Sequence, residues 1–188
     1  MNNARAKTEI LKNTLDHQTT PTPYYDPKAQ STSIAPQATA NKAFSTRPGQ
    51  FLVTTDTASS ASSAWAGGHA AIVYSGYYTI ESFGNRGNEN GVRLWSNDWN
   101  TRYSHFQLRS VSGTTAQQDT NAAYAAYSFL NKPYNYNFFN INQTNSFYCS
   151  QLVWYVFNNK YNINLNDGGA VWPVDLTQSP NAYLVYSQ

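Results

Sequence analysis

The chain has 188 residues and a net charge of +2, from 12 basic and 10 acidic residues with no basic stripe, so the electrostatic footprint of a nucleic-acid binder is missing. Only 12% of residues are charged, about half the usual quarter, and 15 tyrosines and 5 tryptophans with many Asn, Ser and Thr take their place. A single cysteine rules out an intramolecular disulfide and a cysteine-based zinc site, and no apolar run reaches the roughly 18 residues of a membrane span. Neutral polar and tyrosine-rich surfaces are common in exported bacterial proteins. Met1-Asn2-Asn3 leads into a charged segment rather than a signal-peptide core. The expectation is a secreted or cell-surface protein whose signal is not present in this chain.

Residues 4–17 carry a thin apolar stripe of Ile10, Leu11 and Leu15, enough for a marginal helix. Residues 18–43 are rich in Thr, Pro, Gln, Ala and Ser, and Thr20-Pro21-Thr22-Pro23 reads as extended linker. Residues 1–43 therefore read as an N-terminal extension: a leader, linker or propeptide-like arm. Residues 44–188 read as one domain.

Within it, Pro48-Gly49 marks a turn and Gln50 to Thr55 a short strand. Asp56 to Gly68 is a loop of small residues holding Trp65 and ending in Gly67-Gly68, a pair suited to close backbone approach. His69 to Tyr74 is an apolar, β-branched strand that returns through Tyr78 to Phe83 as a hairpin. Strands are predicted at Val92 to Trp95 and Ser104 to Val111, with a loop or helical turn between them. Thr115 to Leu130 has a helical inner face of Ala122, Ala123, Tyr124, Ala126, Tyr127 and Leu130, and Lys132-Pro133 ends it. Tyr134 to Asn145 is an Asn/Phe/Tyr loop. A second helix follows from Cys149 to about Lys160, then a short turn near Val174 and a last strand from Ala182 to Tyr186. Successive strands with two main helices give an α+β class, an antiparallel sheet packed against a few helices.

Chemistry centres on Cys149. A thiol at a helix N-terminus meets unpaired N–H groups and the positive end of the dipole, which favour the nucleophilic thiolate. A small buried hydrophobe is the competing reading. A thiolate needs a base and a group that orients the base. His17 lies in the extension, and His105 sits in a strand-like segment as a structural or surface residue. His69, at the head of an apolar strand behind two glycines, is the better base. Glu81 lies inside the return strand, where a buried carboxylate needs a partner. Register leaves two outcomes: pairing Tyr74 with Tyr78 puts His69 and Glu81 on one face, whereas pairing Tyr74 with Tyr77 separates them.

Gly68-His69-Ala70-Ala71-Ile72-Val73, then Ile80-Glu81-Ser82, Pro133-Tyr134-Asn135 and Phe147-Tyr148-Cys149-Ser150-Gln151-Leu152-Val153-Trp154 resemble the permuted NlpC/P60 cysteine hydrolases, the circularly permuted papain-like amidases of the YiiX/YebB type. Pro48 to Thr54 is similar to that family's opening strand, with Gln50 where an acid is common. The resemblance spans about residues 44–186, with the histidine before the cysteine as in the permuted order. It implies Cys149 as nucleophile, His69 as base and Glu81 as the third, orienting residue. It also implies acyl transfer from a peptide or amide substrate, with bacterial peptidoglycan peptides one class of target. Oxyanion or substrate contacts are expected from Ser150, Tyr148, Tyr134 and Trp65. No metal and no cofactor is implied. A lipid- or ester-directed acyl hydrolase or acyltransferase, and an inactive binding domain, are the alternative functions.

Overall fold

The computed structural model describes residues 44–56 and 66–188. The extension over 1–43 with its predicted helix, His17 and Trp65 lie outside the described residues. Six strands form one antiparallel sheet: β1 (Phe51–Thr54), β2 (His69–Val73), β3 (Tyr78–Phe83), β4 (Gly91–Ser96), β5 (Gln107–Val111) and β6 (Ala182–Ser187). Their spatial order is β4-β3-β2-β1-β5-β6, so β2 is an inner strand flanked by β1 and β3. The helices are α1 (Trp99–Arg102), α2 (Ala116–Tyr127), α3 (Cys149–Tyr161) and α4 (Pro173–Gln178).

Strand alternation sorts side chains into two layers. Phe51, Val53, Ala70, Ile72, Ile80, Val92 and Leu94 face the helices and pack with Ala122, Leu152, Val153, Val156, Phe157 and Leu176. Leu52, Ala71, Val73 and Leu108 face the other way, onto Trp99, Tyr103 and Phe106. The central strands are thus buried on both faces, which explains why β1 and β2 read as continuous apolar runs rather than alternating ones. α1 and the residues after it supply the second cover. The sequence leaves this segment as a loop or helical turn because a four-residue helix has no periodicity to read.

The helix starts follow local chemistry. Thr115 caps α2: its hydroxyl accepts from the Gln118 N–H at 3.2 Å, and the Gln118 side chain accepts from the Thr115 N–H at 2.8 Å. α3 begins with half of that pattern, Gln151 Oε1 accepting from the Tyr148 N–H at 3.2 Å. It ends on Asn162 in the left-handed conformation, φ 55°.

The β2–β3 hairpin settles the register. Ala71 pairs with Glu81, Ile72 with Ile80 and Val73 with Thr79, and the Tyr74 N–H donates to the Tyr78 carbonyl at 2.9 Å. The connecting loop therefore holds three residues, and His69, Thr79, Glu81 and Phe83 share the face opposite the helices. Gly68 explains the paired glycines. It has φ +127°, and a Cβ there would stand 2.0 Å from the Thr54 carbonyl oxygen. β1 and the approach to β2 come that close only without a side chain.

Candidate active site

Cys149 is the first residue of α3 and belongs to the helix-side layer, whereas His69 and Glu81 lie on the opposite face of the sheet. They meet because His69 is the first residue of β2, where the strand ends and no longer separates the two layers. The imidazole Nε2 lies 2.7 Å from Glu81 Oε2, and the ring and the Cys149 thiol are near enough that each favours the charged form of the other. Phe83 and Trp99 stack parallel to the ring at 5.3 and 5.8 Å between centroids, fixing its plane. All three polar side chains are buried.

Electrostatics among Cys149, His69 and Glu81 run against burial. Burial by itself would push the Cys149 thiol up. The hydrogen bond and charge of His69 outweigh it, helped by the Ala70 N–H and the Ser150 side chain, and hold the thiol below its ordinary value. Burial would push His69 down, yet its bonds to Cys149 and Glu81 hold it above its ordinary value. The two directions agree: the buried pair favours thiolate and imidazolium. Glu81 would be raised by burial, but the Arg102 charge, and then His69, keep it well below the ordinary carboxylate range.

Glu81 is the most heavily bonded side chain of the site. Oε2 accepts from His69. Oε1 accepts from the Thr79 hydroxyl at 2.6 Å, Trp99 Nε1 at 3.0 Å and Arg102 Nη2 at 2.6 Å. Sequence reasoning named only His69 as its partner and missed Thr79, Trp99 and Arg102. The one available signal was the i, i+3 spacing of Trp99 and Arg102, which places both on one side of a helical turn.

The residues expected to contact substrate have varied surroundings. The Ser150 hydroxyl donates to the Val171 carbonyl at 2.7 Å and lies 4.0 Å from the sulfur, so its side chain is committed to the fold while its N–H stays in the first turn of α3. The Tyr148 hydroxyl donates to the Phe138 carbonyl at 3.0 Å and accepts from the Val171 N–H at 2.8 Å. Both capacities are used, so this side chain ties two loops to the start of α3 instead of reaching outward. Tyr134 is buried, its ring against Gly84, and forms a bridge with Phe147 two residues before the cysteine. Burial and the nearby Cys149 charge push its hydroxyl well above the ordinary tyrosine range. Trp154 donates to Asn164 Oδ1 at 2.7 Å from within the helix-side layer. His105 is exposed, and only its carbonyl is used, by the Thr54 hydroxyl at 2.6 Å.

A thiol-bearing helix laid on an antiparallel sheet, and reached by the chain after the sheet's first strands, is the papain-like layout in permuted order. The family model described as "Permuted papain-like amidase enzyme, YaeF/YiiX, C92 family" matches residues 51–186, and the chain belongs to that family. NlpC/P60, the name attached to the resemblance above, is that of a different branch. One solved structure, described as the metalloprotein yiiX from Escherichia coli O157:H7, is similar with a TM-score of 0.62 at 17% identity, covering 77% of this chain and 99% of that one. At that identity the likeness shows the fold. No curated protein matches.

The word metalloprotein in that description raises the question of a metal here. Among the described residues, no three His, Cys, Asp or Glu side chains group in a way that could hold one. The carboxylate best placed to try, Glu81, already carries the Arg102 guanidinium on Oε1 and His69 on Oε2, so a cation there would meet positive charge. The described donor set does not fit a metal ion.

Proposed function

We propose that this chain hydrolyses amide bonds with Cys149 as nucleophile, His69 as the proton-transfer group and Glu81 orienting His69. The observation that carries this reading is the buried hydrogen bond of 2.7 Å between the His69 ring and Glu81, beside a Cys149 thiol at the start of α3 whose ionisation His69 favours. The Cys149 thiolate attacks the amide carbonyl carbon, forming a C–S bond. The developing oxyanion is met by N–H groups of the first turn of α3, with Cys149 and Ser150 the nearest in sequence. His69 gives its proton to the leaving nitrogen as the C–N bond breaks. The neutral ring then takes a proton from water, whose oxygen attacks the thioester. The C–S bond breaks, the acid leaves and the thiolate–imidazolium pair returns.

Membership in an amidase family supports an amide substrate. Cell-wall peptides are the class to assay first, and acyl esters the comparison. Purified muropeptides and model acyl esters incubated with wild type and Cys149→Ala give the test. Cys149-dependent release of peptide fragments supports the amidase reading, and turnover confined to esters refutes it. Thiol chemistry is tested separately by following alkylation of the only cysteine against pH. The Cys149 pKa is lowered and that of His69 raised, and both directions favour coexistence of thiolate and imidazolium. Reactivity should rise at a pH well below the ordinary thiol value of about 8.5. A thiol titrating at that ordinary value sinks the proposal.

A further inference from the structure

His69 cannot be what keeps Glu81 ionised throughout a reaction cycle. In the mechanism above, which this inference rests on, His69 loses its proton to the leaving group and is neutral in the acyl-enzyme. A fully buried carboxylate facing a neutral ring would be an isolated anion and would take up a proton. Charged and titratable groups surround Glu81 on several elements. His69 lies on β2. Asp98, Arg102 and Tyr103 come from α1 and its ends, and Arg86 from the loop after β3. Arg93, directly opposite Glu81 in the β3–β4 register, places its guanidinium on the carbonyls of Val92 and Asn88. Besides His69, Arg102 is the cation hydrogen-bonded to the carboxylate, at 2.6 Å, and an arginine does not titrate in the working pH range. Asp98 Oδ1 lies 3.3 Å from Arg102 Nε, and the rings of Tyr103 and Trp99 lie within 5.0 and 5.5 Å of the guanidinium. The guanidinium is thus held in place by its own short helix.

We propose that Arg102 is a positioning residue for the reaction, a fixed charge that keeps Glu81 anionic while His69 cycles between its protonated and neutral forms. Four-residue α1 exists to carry it: Trp99 and Arg102 both donate to Glu81 Oε1, so the helix docks on the carboxylate. Without that charge Glu81 takes a proton more readily and is a weaker anionic partner for His69, which in turn favours the thiolate less. The acid limb of thiolate formation then moves to higher pH. A carboxylate deprived of a contacting cation shifts by about one to three units, so a movement of about one pH unit is expected in the limb read at Cys149.

The experiment is a titration of Cys149 by ultraviolet thiolate absorbance and by alkylation rate, using Cys149→Ser as the blank. Wild type is compared with Arg102→Gln, Arg102→Lys, Glu81→Gln and the double variant Glu81→Gln/Arg102→Gln. Arg102→Gln should move the acid limb up by about one unit, and Arg102→Lys, which keeps the charge, should restore most of the wild-type position. The double variant should titrate as Glu81→Gln alone, because Arg102 acts only through that carboxylate. The double variant also leaves no unpaired buried charge, which keeps the test available should Arg102→Gln fail to fold. Equal limbs for wild type and Arg102→Gln, or a double variant shifted beyond Glu81→Gln, overturn the role given to Arg102. A wild-type thiol titrating at its ordinary value overturns the nucleophile reading itself, and this one with it.

Discussion

Gly68→Ala tests how the backbone ahead of β2 positions the proton-transfer group. The residue has φ +127°, a region that costs an L residue about 1–3 kcal/mol. An added Cβ would lie 2.0 Å from the Thr54 carbonyl oxygen and 2.9 Å from the Thr55 Cα, against an ordinary contact of 3.4 Å or more. Both neighbours are backbone of or just beyond β1, so no side chain can swing aside. The overpacking adds about another 1–3 kcal/mol. The total, about 2–6 kcal/mol, is a large part of a typical domain's stability of about 5–15 kcal/mol. The strain falls on the residue before His69, and a displacement of about 1 Å at a reacting group costs on the order of a hundredfold in rate. Gly67→Ala is the control. Its φ is +70°, but among the described residues a Cβ there meets nothing within 4 Å, so it should cost only about 1 kcal/mol and leave the rate near wild type. Urea melts and the Cys149 alkylation rate at neutral pH measure both quantities. Equal effects from the two substitutions, or a Gly68→Ala variant within about 0.5 kcal/mol of wild type, would refute the close approach as the reason for glycine.

Tyr148→Phe removes one bond given and one received by a buried hydroxyl, and should destabilise by about 2–3 kcal/mol. KM for an amide substrate should stay close to wild type, and a large KM change with unaltered melting would return this side chain to substrate contact. Gln151→Leu strips buried partners from Asn135 Nδ2 at 2.9 Å, the Ile141 carbonyl at 2.9 Å and the Tyr148 N–H. Chemical melts should show a loss of about 2–4 kcal/mol, and amide exchange in 135–145 should quicken; unchanged exchange there would refute the anchoring of that loop by Gln151. Stability against acid should carry the signature of Glu81. Its folded pKa is lowered, so its contribution is full above the unfolded value of about 4.5 and drains as pH falls towards the folded one. Glu81→Gln should flatten the stability slope on that acid side in urea melts at stepped pH, and an unchanged slope would count against the burial and pairing described.

Much of the architecture was legible because these segments obey local rules. The Thr115/Gln118 capping box marks the start of α2, and the polar-to-apolar switch at Tyr148-Cys149 marks that of α3. The strands of the hairpin stand out by β-branched and aromatic content. Its register stayed open in sequence because Ser75-Gly76 by itself suits a two-residue turn, whereas the extra Tyr77 in the loop is a tertiary outcome. Cys149, His69 and Glu81 could be picked out because each is chemically out of place: a thiol at a helix start, an imidazole on an apolar strand, a carboxylate inside a sheet. The cover over Glu81 could not. Trp99, Arg102 and Tyr103 are ordinary residues of a short polar segment, and nothing local says that this segment folds back on the second face of the sheet.

That second face explains why the site can sit at the edge between two layers. In most sheets with helices on one side, a carboxylate on the other side would face water and lose its hold on the histidine. Here Trp99, Tyr103 and Phe106 close that side, so Glu81 is held by four donors in a dry environment where each bond is stronger than it would be in water. The same dryness makes an unpaired charge intolerable, which is why a carboxylate there requires a guanidinium. The nucleophile depends on the opposite layer, since α3 packs on β2 through Leu152 and Val153 and thereby fixes where its first residue lies. Neither layer alone can make the triad. β2 has a face in each layer, and its first residue, His69, stands where the strand ends and can reach towards both. Chain order does not enter this geometry, which is how a permuted connection can keep the site intact.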